Sequence, residues 1–209
     1  MTDWATVSSF ATAGGTLVLA VATFASVRSA NAAARTAERA LETRLRPVLV
    51  NSRLQDPVEK ITWGDEHMSK VGGGRGSVEM TEEVIYLSMP LRNVGSGIAV
   101  LHSWHVLPAW DGSRPHAEPE EFRAQTRDLY VPPGDVGFWQ GAIRDRDDPV
   151  AEPLRSAISG RERIQVELLY SDHEGGQRTI SRFGLVPTGD GGWLCTVARH
   201  WNLDRPDPR

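Results

Sequence analysis

The sequence predicts a mainly β fold, an antiparallel β-sandwich of immunoglobulin-like architecture, carried on an N-terminal helix. Three observations predict it. The stretch from Trp4 to Val27 holds no charged residue. Most of the chain after Pro47 alternates apolar and polar side chains or is rich in β-formers, with Gly, Pro, Asn and Asp turn signals between the runs. Strands this short and this evenly spaced indicate antiparallel layers rather than a parallel α/β sheet.

The uncharged stretch comes first. As a helix its 24 residues would extend roughly 36 Å, against a hydrocarbon core of about 30 Å. Residues 1–28 are therefore expected to form a transmembrane anchor in contact with lipid. Leu17, Leu19 and Phe24 form its apolar centre, Trp4 sits at one interface and Arg28 at the other. Thr6, Ser8, Ser9, Thr12, Gly14 and Gly15 make the first half less apolar, yet hydroxyls in a helix can bond back to a preceding carbonyl. A cleaved secretory signal would normally carry a basic segment before the apolar run. Here Asp3 precedes it with no Lys or Arg, although Ala30-Asn-Ala32 has the form of a cleavage site. A buried core helix would be shorter, about 10–14 apolar residues. A retained span fits best.

Charge sets the expected direction. Arg28, Arg35, Arg39, Arg44 and Arg46 follow the span, opposed only by Glu38 and Glu42. Basic excess belongs on the cytoplasmic side, which would put the large domain inside the cell. The single Cys195 forms no internal disulfide, so the fold does not depend on an oxidising compartment. Ser9 with Ala13, and Ala11 with Gly15, are small-xxx-small pairs that could support a homo-oligomer. An Ala/Gly/Ser-rich helix also produces such pairs by chance.

Residues 29–46 read as an amphipathic juxtamembrane helix, with Ala30, Ala34, Ala37, Leu41 and Leu45 on one face. Pro47 should end it. Residues 47–209 then make one soluble domain. Five of the 23 Lys and Arg and three of the 27 Asp and Glu precede Pro47, leaving the domain 18 against 24, a net charge of −6. An acidic body with no basic cluster argues against nucleic acid as a partner.

Strands are expected at 48–54, 84–94, 97–107, 136–142, 163–171, 177–186 and 193–201. In Ile164-Gln-Val-Glu-Leu-Leu-Tyr170 the apolar set points one way and Gln165 and Glu167 the other, as in a half-buried strand. Asp172-His-Glu-Gly-Gly176 should turn it into the next. Residues 64–83, with Gly72-Gly-Gly-Arg-Gly76, read as a flexible loop. Residues 119–126 and 147–159 read as short surface helices.

The anchor, the Arg/Ala-rich segment ending in Arg46-Pro47, the Leu91-Arg-Asn-Val-Gly-Ser-Gly-Ile-Ala99 strand-turn and the Tyr170-Ser-Asp-His-Glu-Gly-Gly-Gln-Arg178 hairpin together resemble a group of uncharacterised single-span bacterial proteins, mostly actinobacterial. The resemblance implies a membrane-tethered β-sandwich-like domain and brings no activity with it.

Chemistry is sparse. Asp172, His173 and Glu174 are the only weak candidates for a metal, because consecutive residues on a turn splay apart instead of converging on one ion. Gly95-Ser-Gly97 joins strand to strand and lacks the flanking pattern of a nucleophile elbow. The glycine run lacks the Lys-Ser/Thr of a phosphate loop. Cys195, in Trp193-Leu-Cys-Thr-Val197, reads as a buried, inert thiol. No catalytic residue and no cofactor is expected. The aromatics divide between core and surface. Trp139, Arg199 and Trp201 are the candidates for a partner-facing surface, since Trp and Arg dominate interface hot spots. The expected function is a membrane-tethered, non-enzymatic interaction or scaffolding module for an unidentified protein partner. The alternative is a small-molecule sensor or hydrolase with its site around the 172–174 turn.

Overall fold

One helix, α1, runs without a break from Trp4 to Arg44. The structure, a computed structural model, describes residues 4–207, apart from the side chains of 4–13, 39 and 41–44. Alanine-rich composition and the lack of proline favour the helix. The Ser26 and Thr36 hydroxyls donate to Ala22 O and Ala32 O at 2.8 and 3.0 Å, the back-bonding that lets hydroxyls sit in an apolar helix. No boundary falls at Arg28, so the expected anchor and juxtamembrane segment are one rod. It stops three residues before Pro47, whose ring disfavours helical geometry in the residue preceding it.

The second unit, from Arg44 onward, is built of strands. In chain order these are β1 (Leu49–Asn51), β2 (Glu59–Thr62), β3 (Met68–Val71), β4 (Arg75–Met80), β5 (Ile85–Asn93), β6 (Ala99–Leu107), β7 (Arg123–Val131), β8 (Val136–Ile143), β9 (Ile164–Ser171), β10 (Thr179–Pro187) and β11 (Trp193–Asn202). One helix, α2 (Ala151–Ser159), separates β8 from β9. Nine strands form one curled antiparallel sheet, and β2 pairs with β3 in a separate hairpin.

Strand β5 organises one end of the sheet. Along one side it pairs with β8 over its whole length; along the other it pairs first with β4 and then with β1. Strand β4 changes neighbour midway. Ser77–Met80 lie against β5, while Arg75 and Gly76 lie against β11. From there the order continues β11-β10-β9-β6-β7. Strands β7 and β8 are joined by Pro132-Pro-Gly-Asp135 and run side by side, so the sheet curls back until its two ends meet. Each is laddered only to its other neighbour.

The interior of the curl holds Leu87, Met89, Trp139, Val166, Phe183 and Leu154 of α2, all fully buried. A smaller apolar cluster, Ile61, Trp63, Val71 and Tyr86, lies under the β2–β3 hairpin.

Three expectations are corrected. Residues 64–83 are not a loop but contain β3 and β4. The glycine run is there for contact: a Cβ on Gly73 would stand 2.0 Å from Arg53 O. Residues 119–126 are not a helix; after a single 3₁₀ turn at Pro119–Glu121 the chain enters β7, where pairing with β6 outweighs local propensity. Gln165 and Glu167 do not face water. All of β9 is buried, because residues 111–117 bond to its outer face. The expected helix within 147–159 is present as α2.

Candidate functional site

The apolar surface of α1 is unburied. From Gly14 to Glu38 it is long and apolar enough to cross a membrane, and none of it is covered by protein. Leu17 is 67%, Leu19 69% and Phe24 69% exposed. Trp4 begins the helix, but its side chain lies outside the described residues, as do those of Ser9, Ala11 and Ala13. Gly15 has open space around it.

The chain enters the β domain through Leu45–Val48, which the β5–β6 turn holds tightly. The amides of Ser96 and Gly97 donate to Arg46 O, and Val94 N donates to Val48 O. The buried Asn93 side chain accepts from Val48 N and Gly95 N through Oδ1 and donates to Gly97 O and Val131 O through Nδ2. Only glycine fits at position 97, where a Cβ would stand 1.7 Å from Leu45 O. At 2.6 Å, Arg46 Nη2 donates to Asn202 Oδ1 of β11.

The 172–174 turn is held by its own carboxylate. Asp172 is buried, and its Oδ1 accepts from Glu174 N and Gly176 N at 3.0 Å each. Its Oδ2 accepts from Gln177 Nε2 at 3.0 Å. Both oxygens are thus engaged in shaping the hairpin. His173 pairs with Glu174 at 3.3 Å on the exposed side. Among the described residues no three His, Cys, Asp or Glu are grouped so as to hold a metal ion.

Of the expected interaction residues, the two tryptophans are buried. Trp139 is fully buried in the core, because its place on β8 points into the curl against Trp104 at 5.4 Å. Trp201 is 7% exposed, held between the guanidiniums of Arg182 at 4.7 Å and Arg199 at 4.9 Å. Arg199 is occupied by that stack. The two tryptophans are thus buried, and Arg199 is half-buried beside Trp201.

Two features escaped the sequence. One is the buried pair Glu167–Arg182, at 2.6 Å. Arg182 donates to the carbonyls of Asp111, Arg114 and Pro115, while Glu167 accepts from Ala117 N. Together they fasten the 111–117 segment across β9 and β10. Only an alternating polar pair on adjacent strands hinted at it.

The other is a cleft of about 160 Å³ at the seam of β7 and β8, lined by Trp63, Trp104, Arg123, Gln140, Gly141 and Arg144. Arg123 Nη2 donates to both carboxylate oxygens of Asp148 at 2.7 Å and its guanidinium stacks on Trp104. Arg144 Nη2 donates to Asp65 at 3.0 Å. That aspartate also accepts from the Tyr86 hydroxyl at 2.7 Å. The Tyr86 hydroxyl and Arg144 hold the Asp65 carboxyl below its usual range, and the same bond pushes Tyr86 up. Trp63 Nε1 donates to Gly141 O and fixes that wall. Tyr86 stacks on His67 at 3.9 Å behind it. No sequence signal could have found this cleft, because its residues come from four separated segments.

No family model matches the chain, and no curated protein matches it. Among solved structures, it is similar over 63% of its length to 94% of a protein from Archaeoglobus fulgidus, at 10% identity and a TM-score of 0.26. Over 60% of its length it is similar to 14% of a β-glucosidase from Kluyveromyces marxianus, at 13% identity and a TM-score of 0.22. Scores this low establish no shared fold.

Proposed function

We propose that the protein is a single-span membrane protein presenting a non-enzymatic, β-rich interaction module at the cytoplasmic face of the membrane. One observation carries it: the large apolar side chains of α1 between Leu17 and Val27 are uncovered. Each such side chain left in water forgoes about 1.5–3 kcal/mol of burial, and a lipid core supplies that burial over the apolar part of the helix. Arg28, Arg35, Arg39, Arg44 and Arg46 at its end favour the inner face. On this reading the two halves of the curled sheet serve as the layers of a sandwich of immunoglobulin-like architecture. It also extends to this chain the organisation of the single-span bacterial group that it resembles.

Paired reporters on the C-terminus of the full chain test the anchor, one active only outside the cytoplasm and one fluorescent only inside. Signal from the inside reporter alone, with the protein remaining in membranes after alkaline extraction, is the expected result. Signal from the outside reporter, or release by extraction, overturns it. Photo-crosslinking from surface positions of the domain in native membranes tests the interaction role. A discrete adduct from one face supports it, and no adduct from any face refutes it.

A further inference from the structure

The seam cleft contains more hydrogen-bond donors than its own side chains use. Gln140 is 5% exposed. Its Oε1 accepts from Arg127 Nη2 at 3.3 Å, but its Nε2 has no hydrogen-bond partner among the described residues. Arg123 and Arg144 each engage a carboxylate through Nη2 alone, which leaves Nε and Nη1 of both guanidiniums without a partner among the described residues. A nearly buried amide N–H₂ and two guanidinium edges therefore meet in one small space walled by Trp63 and Trp104. Arg123 and Arg144 are 32% and 45% exposed and the Gln140 amide opens onto the same space, so these donors are available to an acceptor that enters the cleft.

Charge and size narrow the ligand. Arg123 and Arg144 line the cleft and are each paired with one carboxylate, Asp148 and Asp65, while Arg127, which reaches Gln140 from outside the lining, has no carboxylate in ion-pair contact among the described residues and supplies the surplus positive charge. That matches a monoanion; a phosphate dianion would leave an uncompensated negative charge in a half-enclosed space. At about 160 Å³ the cleft is close to a benzene-sized cavity of about 150 Å³ and well below the roughly 300–1,000 Å³ of a drug-sized site. We propose that the cleft binds a monocarboxylate, whose oxygens accept from Arg123, Arg144 and Gln140 while its carbon skeleton lies against the two indoles. Guanidinium and carboxylate geometries suit one another. The carboxylate could belong to a small free acid or to a peptide C-terminus. The inference goes beyond the membrane reading and does not rest on it, since the cleft lies wholly within the β domain.

The test is a titration of the full-length chain in detergent micelles, followed by calorimetry and by tryptophan fluorescence, since Trp63 and Trp104 wall the cleft. The probes are acetate, benzoate, neutral benzamide, inorganic phosphate, and a short peptide with a free or an amidated C-terminus. Saturable binding of a carboxylate, with none of benzamide or the amidated peptide, is the expected result. Binding of the small acids alone identifies a free acid as the source, and binding of the free-terminus peptide alone identifies a protein terminus. Arg144→Gln, on an exposed side chain, should weaken binding about tenfold or more, the loss of a charge-assisted hydrogen bond. Gln140→Met should do the same without changing charge. No saturable carboxylate binding by the unmodified chain, equal binding of benzamide, tighter binding of phosphate, or unchanged affinity in a folded Arg144→Gln variant overturns the proposal.

Discussion

Arg182 and Glu167 meet at 2.6 Å with side chains only 2% and 1% exposed. They form a buried ion pair on neighbouring strands in a domain whose other interior contacts are mostly apolar. Desolvating both charges is costly, and a buried pair is kept only when its remaining donors and acceptors are met. Here they are. Arg182 reaches three backbone carbonyls, and Glu167 accepts from Ala117 N, Gln165 Nε2 and Arg182 Nε. The pair is a bracket by which two strands hold a long irregular segment.

Breaking that bracket from one side should be severe. Arg182→Met leaves a buried carboxylate without its cation and should cost about 3–5 kcal/mol. Adding Glu167→Met should recover part of the loss, because no lone charge then remains. Denaturant titration of the two variants measures both. Equal stability of Arg182→Met and the unmodified chain would refute the role assigned to the pair.

Gly97 governs the entry to the domain. Gly97→Ala would place a methyl group 1.7 Å from Leu45 O, and the turn would have to release Arg46–Val48. A loss of at least about 2 kcal/mol is expected, together with faster tryptic cleavage after Arg44, since the Arg46–Pro47 bond resists trypsin. Limited proteolysis of the full chain reads the second effect directly.

Acid should weaken the domain through its paired carboxylates. Asp56 is held low by Arg92, and Asp65 by the Tyr86 hydroxyl and Arg144. Asp204 is lowered by Arg178, and Asp190 is brought down to about 2 by the Thr188 hydroxyl, the Gly192 amide and Arg75. A carboxyl whose folded pKa lies below its unfolded value of about 4 favours folding above that value. The contribution is lost as pH falls through the folded pKa. Burial also holds His105 below its usual range, so the unfolding midpoint should decline modestly as pH falls below about 6.5 and more steeply between about 4 and 2. Thermal scans across that range check it; a midpoint that rises on acidification would contradict the assignment.

Cys195 should be silent in the folded protein. Burial pushes its thiol well above the usual range, and Sγ lies 3.4 Å from Met89 Sδ inside the core. A thiol reagent should label it only in denaturant. Cys195→Ser should cost about 1–3 kcal/mol, since the new hydroxyl has no ready partner there.

Particular elements show what could be read in the residues alone. The seven expected strands all appear, because alternation in Ile164–Tyr170 or Val136–Ala142 is imposed locally by the pleat. Strands β2, β3, β4 and β7 were missed. The first three are short and the first half of β7 is polar, so only a neighbour makes each a strand. Glu167 was legible as alternating with the apolar set, but not as buried, since the segment that covers it lies some fifty residues away in the chain. Trp139 and Trp201 could be named as important without revealing which way they face. Asp172 carries a chemically suggestive neighbourhood, yet its oxygens serve the turn's own amides.

The sequence by itself determined the apolar N-terminal helix, its basic end, the β character of the remainder and the unreactive setting of Cys195. These properties follow from local composition and from periods of two or 3.6 residues, which neighbours in the chain enforce. Only the tertiary structure decided the curl of the sheet, the bracket between Glu167 and Arg182, the clamp of Asn93 on the domain's entry and the cleft at the β7–β8 seam. Each of these joins residues far apart in the chain, and which distant groups come within hydrogen-bond reach depends on strand order and register, to which hydrophobic periodicity is blind.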